Sequence, residues 1–269
     1  MHSNLVLRVL SSVILAPMVL CPIWFGKAVY EEYNIPLYPI LLALLGVGLS
    51  WEWGSMFKKN GSACQLVMAF VATLVAFMTE GNPAFCLWVI LLGMAFVFGL
   101  SKHFRFALGV PYICLPILSL GYIYYINENV SREVILWLLF VVWATDVGGF
   151  VFGKLIGGPK LAPKISAKKT WAGLFGAIIF AAAVAYVFAI YLKAYGLLPA
   201  DDYVWKLSVS AGILAVIAQA GDFFESAIKR KLGLKDSSNL IPGHGGLFDR
   251  VDGLLFAAMA TAGVFLFLN

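Results

Sequence analysis

Residues 83–100 read PAFCLWVILLGMAFVFGL, a run of 18 residues without a charged side chain. A helix needs about 20 apolar residues to cross the hydrocarbon core of a bilayer, and runs of this kind recur along the chain. Of all 269 residues, 62% are hydrophobic and only 12% are charged. A soluble globule with so few charges could not cover its surface. The composition therefore excludes a soluble domain and predicts a polytopic membrane protein.

Nine apolar spans divide the sequence and predict the fold class. They lie at roughly 5–26, 36–57, 64–79, 83–100, 106–126, 133–153, 171–195, 204–228 and 251–268. We expect an all-α, polytopic integral membrane protein with about nine transmembrane helices. Residues 1–132 would hold the first five helices, and residues 133–269 the last four with the catalytic site, within one membrane domain.

The positive charges predict the orientation of these spans. If the spans alternate in direction, 15 of the 19 lysines and arginines fall on the side of the N-terminus and 4 on the other side. The positive-inside rule makes the first side cytoplasmic. Two segments on that side, 154–170 and 229–250, hold ten of the 15 charges, which exceeds what orientation requires. They could build one cationic site, or else form a solvated rim that touches anionic lipid headgroups.

Carboxylates among these basic residues favour a binding site over a solvated rim. One stripe of the eighth span carries Asp222, Glu225, Ser226, Lys229 and Arg230 at helical spacing. At the entry of the ninth span, Asp249 and Asp252 are three positions apart and share a face. Mg²⁺ takes one or two protein carboxylates and fills its other positions with water and phosphate oxygens, which suits Asp222 and Asp249. The alternative is a set of helix-end salt bridges, Asp222 with Lys229 or Arg250.

Asp146 is a third acidic candidate, about seven residues or roughly 10 Å from the cytoplasmic end of the sixth span. An ionisable group at that depth is costly unless it faces a polar cavity. Gly149, Gly153 and Gly157 follow at small-xxx-small spacing and would let this helix pack closely on the helix of Asp222. We therefore expect a polar cavity, open to the cytosol, that reaches from Lys168 to Asp146.

A glycine-rich turn lies between the acidic ends of the eighth and ninth spans. In Pro242-Gly243-His244-Gly245-Gly246, the glycines let backbone N–H groups approach an anion, and His244 can donate to a phosphate or carry a proton. A second unusual position is Glu52, between Trp51 and Trp53 at the end of the second span. The tryptophans are typical of a membrane-interface belt, whereas the role of Glu52 stays open.

Residues 226–252 carry a motif that resembles the signature of the phosphatidate cytidylyltransferases, also called CDP-diacylglycerol synthases. The matching positions are Ser226, Ile228, Lys229, Arg230, Lys235-Asp236, Ser238, Ile241-Pro242, His244-Gly245-Gly246-Leu247 and Asp249-Arg250-Val251-Asp252. The segment from Trp143 to Gly173 resembles a second block of this family, and the resemblance covers nearly the whole chain. Two positions differ, because the family usually has proline at 167 and often glutamate or glutamine at 172, where this chain has alanine.

The resemblance implies a Mg²⁺-dependent reaction in which CTP and phosphatidic acid give CDP-diacylglycerol and pyrophosphate. Asp222 and Asp249 would hold the metal, and Asp146 a second cation or the waters of the first. Four basic side chains would offset phosphate charge: Lys168, Lys169, Lys229 and Arg230. Ser226 would donate to a phosphate oxygen or complete the coordination. His244 and Arg250 would bind pyrophosphate or the lipid phosphate, and Asp252 is a further substrate-binding candidate.

Two other functions stay open at this point. A CTP-dependent lipid kinase would use the same nucleotide and hand on its γ-phosphate. A lipid transporter would explain an acid inside the membrane, but the two halves of the sequence show no matching glycine-broken spans. No nucleic-acid-binding module is visible. We expect a bacterial-type inner-membrane protein with the N-terminus and the active site in the cytoplasm; its oligomeric state is open, with a homodimer as one alternative.

Overall fold

A computed structural model describes residues 2–59, 62–126, 130–198 and 200–268, with side chains for residue 11 and from residue 13 to 267 in those ranges. This part of the chain is almost entirely helical. Its elements are α1 (His2–Tyr33), α2 (Leu37–Met56), α3 (Ala63–Met78), α4 (Pro83–Ser101), α5 (Phe104–Ala107), α6 (Gly109–Ile126), α7 (Ser131–Leu155), β1 (Lys160–Ala162), β2 (Ser166–Thr170), α8 (Trp171–Ala194), α9 (Tyr203–Lys231) and α10 (Phe248–Leu268).

The helices confirm the predicted fold class. Eight helical segments in the described ranges are long and apolar enough to cross a membrane, counting α5 and α6 as one segment. α3 is also apolar but has only 16 residues, which gives a length of about 24 Å. Each of the nine predicted spans therefore contains a helix, and the chain is a polytopic integral membrane protein.

Polar side chains in the connections fix where several helices begin. Asn82 accepts hydrogen bonds from the N–H groups of Ala84 and Phe85 at the start of α4. Ser62 caps α3, and Thr170 caps α8 by accepting from the N–H of Gly173. These caps satisfy N–H groups that have no partner within the helix, so that each helix begins at a defined residue.

Close contacts group the chain into two compact units, of which the first comprises residues 1–132 and 231–251. In this unit α2 approaches α3 and α6 at Gly46, where an added Cβ would lie 2.7 Å from Ala72 and from Ile117. An aromatic cluster lies near the end of α2. The buried Trp53 donates from Nε1 to the carbonyl of Phe106 at 2.9 Å, and the ring of Phe248 stacks on Tyr112. The start of α10 is thereby packed against α2 and α6.

The second unit comprises residues 133–230 and 252–269. Small residues bring α7 and α8 together, because a Cβ at Gly173 would lie 2.8 Å from the carbonyl oxygen of Gly149 and 3.4 Å from Gly153. α9 and α10 approach in the same way, since a Cβ at Gly221 would lie 2.6 Å from the carbonyl oxygen of Asp252. Packing through small residues is the usual solution in membranes, where no hydrophobic force drives helices together.

Two local features of this unit differ from the sequence predictions. Gly157 does not continue the helical glycine series, because α7 ends at Leu155 and Gly157 has φ +68°. Gly149 and Gly153 lie mainly against α8, and only Gly149 also faces α9, through the side chain of Gln219. The all-α prediction also omitted the antiparallel hairpin of β1 and β2, in which Lys160 pairs with Thr170.

Candidate active site

The second unit contains a cavity of about 360 Å³ that the side chains of α7, β2, α8 and α9 surround. Its charged lining residues are Asp146, Lys154, Lys168, Lys169 and Asp222. Its uncharged lining includes two polar residues and three glycines of α7 and α8: Thr170, Gln219, Gly149, Gly153 and Gly173. A cavity that reaches from Lys168 to Asp146 is therefore present, as the sequence predicts.

The β-hairpin holds the two lysines of this cavity. Lys168 and Lys169 lie on β2 just before Thr170, which pairs with β1 and caps α8. Lys168 is exposed, whereas Lys169 is half-buried. Because both ends of this short strand are fixed, the lysines are presented from ordered backbone rather than from a free loop.

Lys169 connects the hairpin to the polar stripe of α9. Its ammonium forms an ion pair with Asp222 and donates to Oε1 of Gln219 at 2.8 Å. The hydroxyl of Ser226 donates to Oδ1 of Asp222 at 3.3 Å. The predicted residues Lys169, Asp222 and Ser226 therefore lie together, and Gln219 joins them from one helical turn before Asp222.

A second ion pair lies further along α9. Nζ of Lys229 is 2.5 Å from Oε2 of Glu225, and both side chains are buried. The Lys229 ammonium thus already faces a carboxylate, so any phosphate would have to share it with Glu225. Arg230, the next residue, is exposed.

Negative charge accumulates around Asp252 in the same unit. The carboxylates of Asp222, Glu225 and Asp146 are all close enough to act electrostatically on that of Asp252. Among the described residues, however, no group of three or more Asp, Glu, His or Cys side chains is arranged to hold a metal ion. A cation at this position would therefore need ligands from water or substrate in addition to one or two carboxylates.

The remaining predicted residues lie in the first unit, His244 on the loop between α9 and α10 and Asp249 and Arg250 in the first turn of α10. Oδ2 of Asp249 accepts hydrogen bonds from the N–H and the hydroxyl of Ser237, both at 3.1 Å, and from the N–H of Gly246 at 2.9 Å. Asp249 thus holds together the two ends of the segment 237–246, which precedes it. The joint metal site of Asp222 and Asp249 stays a prediction.

His244 is held from two sides in this loop. Its Nδ1 lies 2.8 Å from the hydroxyl of Ser11 on α1. The guanidinium of Arg250 donates to the His244 carbonyl oxygen from Nη2 at 2.7 Å and from Nε at 3.1 Å. Ser11 therefore influences which ring nitrogen carries the proton, and Arg250 fixes the backbone beneath the ring.

Comparison with known proteins identifies the family. The sequence profile described as the cytidylyltransferase family matches residues 6–268. The phosphatidate cytidylyltransferases of Brucella suis biovar 1 and Rickettsia felis are each 30% identical to this chain, over 95% of its length and 91% and 89% of theirs. That of Rickettsia bellii is 30% identical over 99% of this chain and 91% of its own. The chain belongs to the cytidylyltransferase family.

Family membership and the apolar helices together assign the general class of this cytidylyltransferase. It is an integral membrane transferase of phospholipid biosynthesis, and specifically a nucleotidyltransferase. The family resemblance that the sequence motifs indicate is confirmed.

The cytidylyltransferase has a buried acid that sequence reasoning left without a role. Glu52 on α2 is fully buried and accepts four hydrogen bonds from the loop before α10 and from the start of that helix. A charged residue at the end of an apolar span, with no basic residue within a helical turn, was the available signal. Its partners could not be read from the sequence, because they lie 185 to 196 positions away.

Gln219 was missed as a member of the polar group on α9, and Glu225 was recognised on the stripe without its partner Lys229. Gln219 binds the ammonium of Lys169, and Glu225 that of Lys229. Gln219 lies three positions before Asp222 and Glu225 three after it, so helical periodicity was the signal for both.

Proposed function

We propose that this cytidylyltransferase transfers the CMP moiety of CTP to phosphatidic acid, giving CDP-diacylglycerol and pyrophosphate. The observation that carries the proposal is the cavity in which Lys168 and Lys169 face Asp146 and Asp222. Lysines there suit the phosphates of a nucleotide, and carboxylates suit a divalent cation. The relatives named phosphatidate cytidylyltransferase support the choice of substrates.

The reaction is an in-line displacement at phosphorus. An oxygen of the lipid phosphate attacks the α-phosphorus of CTP, and the bond from that phosphorus to the bridging oxygen of the β-phosphate breaks. The electron pair leaves with pyrophosphate. An ionised phosphomonoester is already a competent nucleophile, so the protein need not supply a general base. Positioning and charge stabilisation then make up most of the catalysis.

The side chains of the cavity fit this task. Lys169 is already positioned by Asp222 and Gln219, and a bound phosphate would draw its ammonium partly away from the carboxylate. Lys168 is exposed and can reach a phosphate as a point charge. Ser226 would donate to a phosphate oxygen once its hydroxyl turns from Asp222. Lys229 and Arg230 would add positive charge from the last turns of α9.

The donor set of the cavity also fits Mg²⁺. Asp146 and Asp222 supply two carboxylates in one cavity, and the absence of a larger acidic cage in the described residues suits an ion that keeps water and phosphate oxygens as ligands. When bound, the ion would neutralise phosphate charge and orient the α-phosphate. If Asp249 joins Asp222 on the ion, as the sequence predicts, Asp146 would instead hold a second cation or the waters of the first.

His244 and Arg250 would bind the leaving pyrophosphate or the attacking lipid phosphate. His244 can donate from its Nε2 to a phosphate oxygen when Nδ1 accepts from Ser11. Arg250 would contribute its charge next to it. Asp252 is better suited to repel and direct anions, or to ligate a cation, than to bind phosphate directly.

We also propose that the protein lies in a bacterial-type inner membrane with its N-terminus and active site in the cytoplasm. The excess of basic residues on one side, 15 against 4, supports this orientation. CTP would then enter from the cytosol, and phosphatidic acid from the leaflet.

Labelled CTP tests the proposed reaction in membranes that contain the purified chain. CTP labelled at the α-phosphate, with phosphatidic acid and Mg²⁺, should place label in the lipid, whereas label at the γ-phosphate should appear in pyrophosphate. Transfer of γ-label to a lipid would instead identify a CTP-dependent lipid kinase. Absence of any labelled lipid under all conditions would contradict both.

A further inference from the structure

Among the described acids of the first unit, Glu52 is the most completely enclosed, with none of its surface exposed. Its Oε1 accepts from the hydroxyl of Ser238 at 2.5 Å and from the N–H of Leu247 at 2.6 Å. Its Oε2 accepts from the hydroxyl of Ser237 at 3.1 Å and from the N–H of Phe248 at 2.7 Å. The proposed reaction assigns no step to this carboxylate, although every one of these donors lies beside predicted site residues.

Two of the donors belong to the start of α10. The first N–H groups of a helix have no partner within the helix, and the helix dipole favours a negative charge beside them. Such a helix end commonly binds a phosphate. Here Glu52 of α2 occupies the N–H groups of Leu247 and Phe248. Phosphate recognition on this loop is therefore left to side chains such as His244 and Arg250.

Ser237 links Glu52 to Asp249. Its hydroxyl oxygen lies 3.1 Å from Oε2 of Glu52 and 3.1 Å from Oδ2 of Asp249. Gly246 fits closely beside this linkage, because a Cβ there would lie 2.8 Å from Oε1 of Glu52. A shift of Glu52 would therefore move Ser237 and, through it, the carboxylate of Asp249.

We propose that Glu52 is a positioning residue, whose carboxylate sets the loop 237–249 and thereby places Asp249 and His244 for the reaction. The proposal rests on the proposed function for the roles of those two residues. Charge and shape are both required. The N–H groups of Leu247 and Phe248 can only donate, and each contacts a different oxygen of Glu52. A glutamine offers a single oxygen, so one of these N–H groups would face an amide NH₂.

Glu52→Gln tests the proposal with nearly unchanged volume. We expect kcat for CDP-diacylglycerol formation to fall about 10²-fold, the scale of a misplacement near 1 Å, while KM for CTP changes less. Hydrogen exchange of a peptide that covers 237–250 should become faster in this variant. Glu133→Gln, which changes another buried glutamate outside the site, is the matched control and should leave kcat near that of the wild type.

Ser237→Ala provides a milder variant in case Glu52→Gln does not fold. It removes the hydroxyl that joins Glu52 to Asp249 and keeps the other three hydrogen bonds of Glu52, so we expect a loss of about tenfold in kcat at a nearly unchanged melting temperature. Wild-type kcat in both variants, or losses that only follow the folded fraction, would overturn the proposal. If the wild-type chain forms no labelled lipid, the proposed function fails, and the exchange of 237–250 in Glu52→Gln still decides whether Glu52 holds the loop.

Discussion

The acids of the second unit and those beside the loop of the first unit have different kinds of partner. On α9, Asp222 in the cavity and Glu225 one turn further along both face lysine ammonium groups. In the loop, Glu52 and Asp249 accept from neutral serine hydroxyls and backbone N–H groups. A lysine paired with a carboxylate can exchange that partner for a phosphate when substrate binds. A carboxylate held by backbone donors has no equivalent exchange. The comparison indicates that the ion pairs of the second unit can rearrange when substrate binds, whereas the contacts of Glu52 and Asp249 stay fixed.

The largest effect should come from separating the buried ion pair of Lys229 and Glu225. Lys229→Met removes the ammonium that faces Glu225 in a buried setting, and we expect a loss of about 3–5 kcal/mol in the free energy of unfolding. Thermal or detergent-induced unfolding would measure it. Glu225→Gln combined with Lys229→Met should recover much of the stability.

The double variant also separates structure from catalysis at Lys229. If Lys229 contacts phosphate, the double variant should be stable and still impaired in transfer. Wild-type transfer by a stable double variant would remove Lys229 from the catalytic set and leave it a structural role.

Asp222→Asn is expected to lose about 10²-fold or more in kcat, because it removes a charge that positions Lys169 and that, in the proposed reaction, would also hold Mg²⁺. The protein should still insert and fold. Asp202→Asn is the control, since Asp202 is exposed and its pKa is lowered chiefly by a hydrogen bond from Lys206.

Removal of divalent cations tests the proposed metal site of the cavity. EDTA should abolish transfer by the wild type, and added Mg²⁺ should restore it. Full activity in the chelator would contradict the metal assignment for Asp146 and Asp222 together.

Lys169→Ala should lower kcat/KM for CTP by about 10- to 10²-fold, because it removes both the proposed phosphate contact and the counter-charge of Asp222. Lys169→Arg should retain part of the activity, as a cation remains. Lys59→Ala, outside the cavity, should change activity little. Equal losses in the two alanine variants would mean that general surface charge, rather than this cavity, binds the nucleotide.

The smallest effect is expected at Ser11, which contacts the His244 ring. Ser11→Ala removes a partner of Nδ1 and a longer contact to the Pro242 carbonyl but keeps the contacts of Glu52 and Asp249 with the loop, so we expect a loss of a few fold, at most about tenfold, in kcat. The pH dependence of kcat should shift in this variant if His244 contributes a proton. An identical profile in the two proteins would leave Ser11 with a packing role alone.

Much of the fold was predictable because apolar length and helical spacing are local properties of a sequence. The nine spans and the polar stripe that includes Asp222 and Ser226 follow from them directly. The hairpin was not predictable, since β1 has only three residues and shows no alternation. The helical glycine series was extended too far at Gly157, where a positive φ has no local signal beyond the glycine itself.

The candidate site was predictable in its residue types but less so in its pairing. Asp146, Lys168 and Asp222 do line one cavity. The pairing of Lys229 with Glu225 was missed, although both lie on the stripe, because the sequence does not show which charges turn away from solvent. Contacts of Glu52 depend on packing between α2 and a distant loop, and only three-dimensional structure reveals them.

The hydrogen bonds of Glu52 can form only late in the synthesis of the chain. Its first partner, Ser237, follows 185 residues later, so at 5–20 residues per second the ribosome needs roughly 10–40 s to deliver it. Through that interval α2 carries an acid without these donors, and such a group in a membrane helix needs other polar partners, such as water. Closure of the loop would then replace those partners, which makes it a late maturation step of the newly made enzyme.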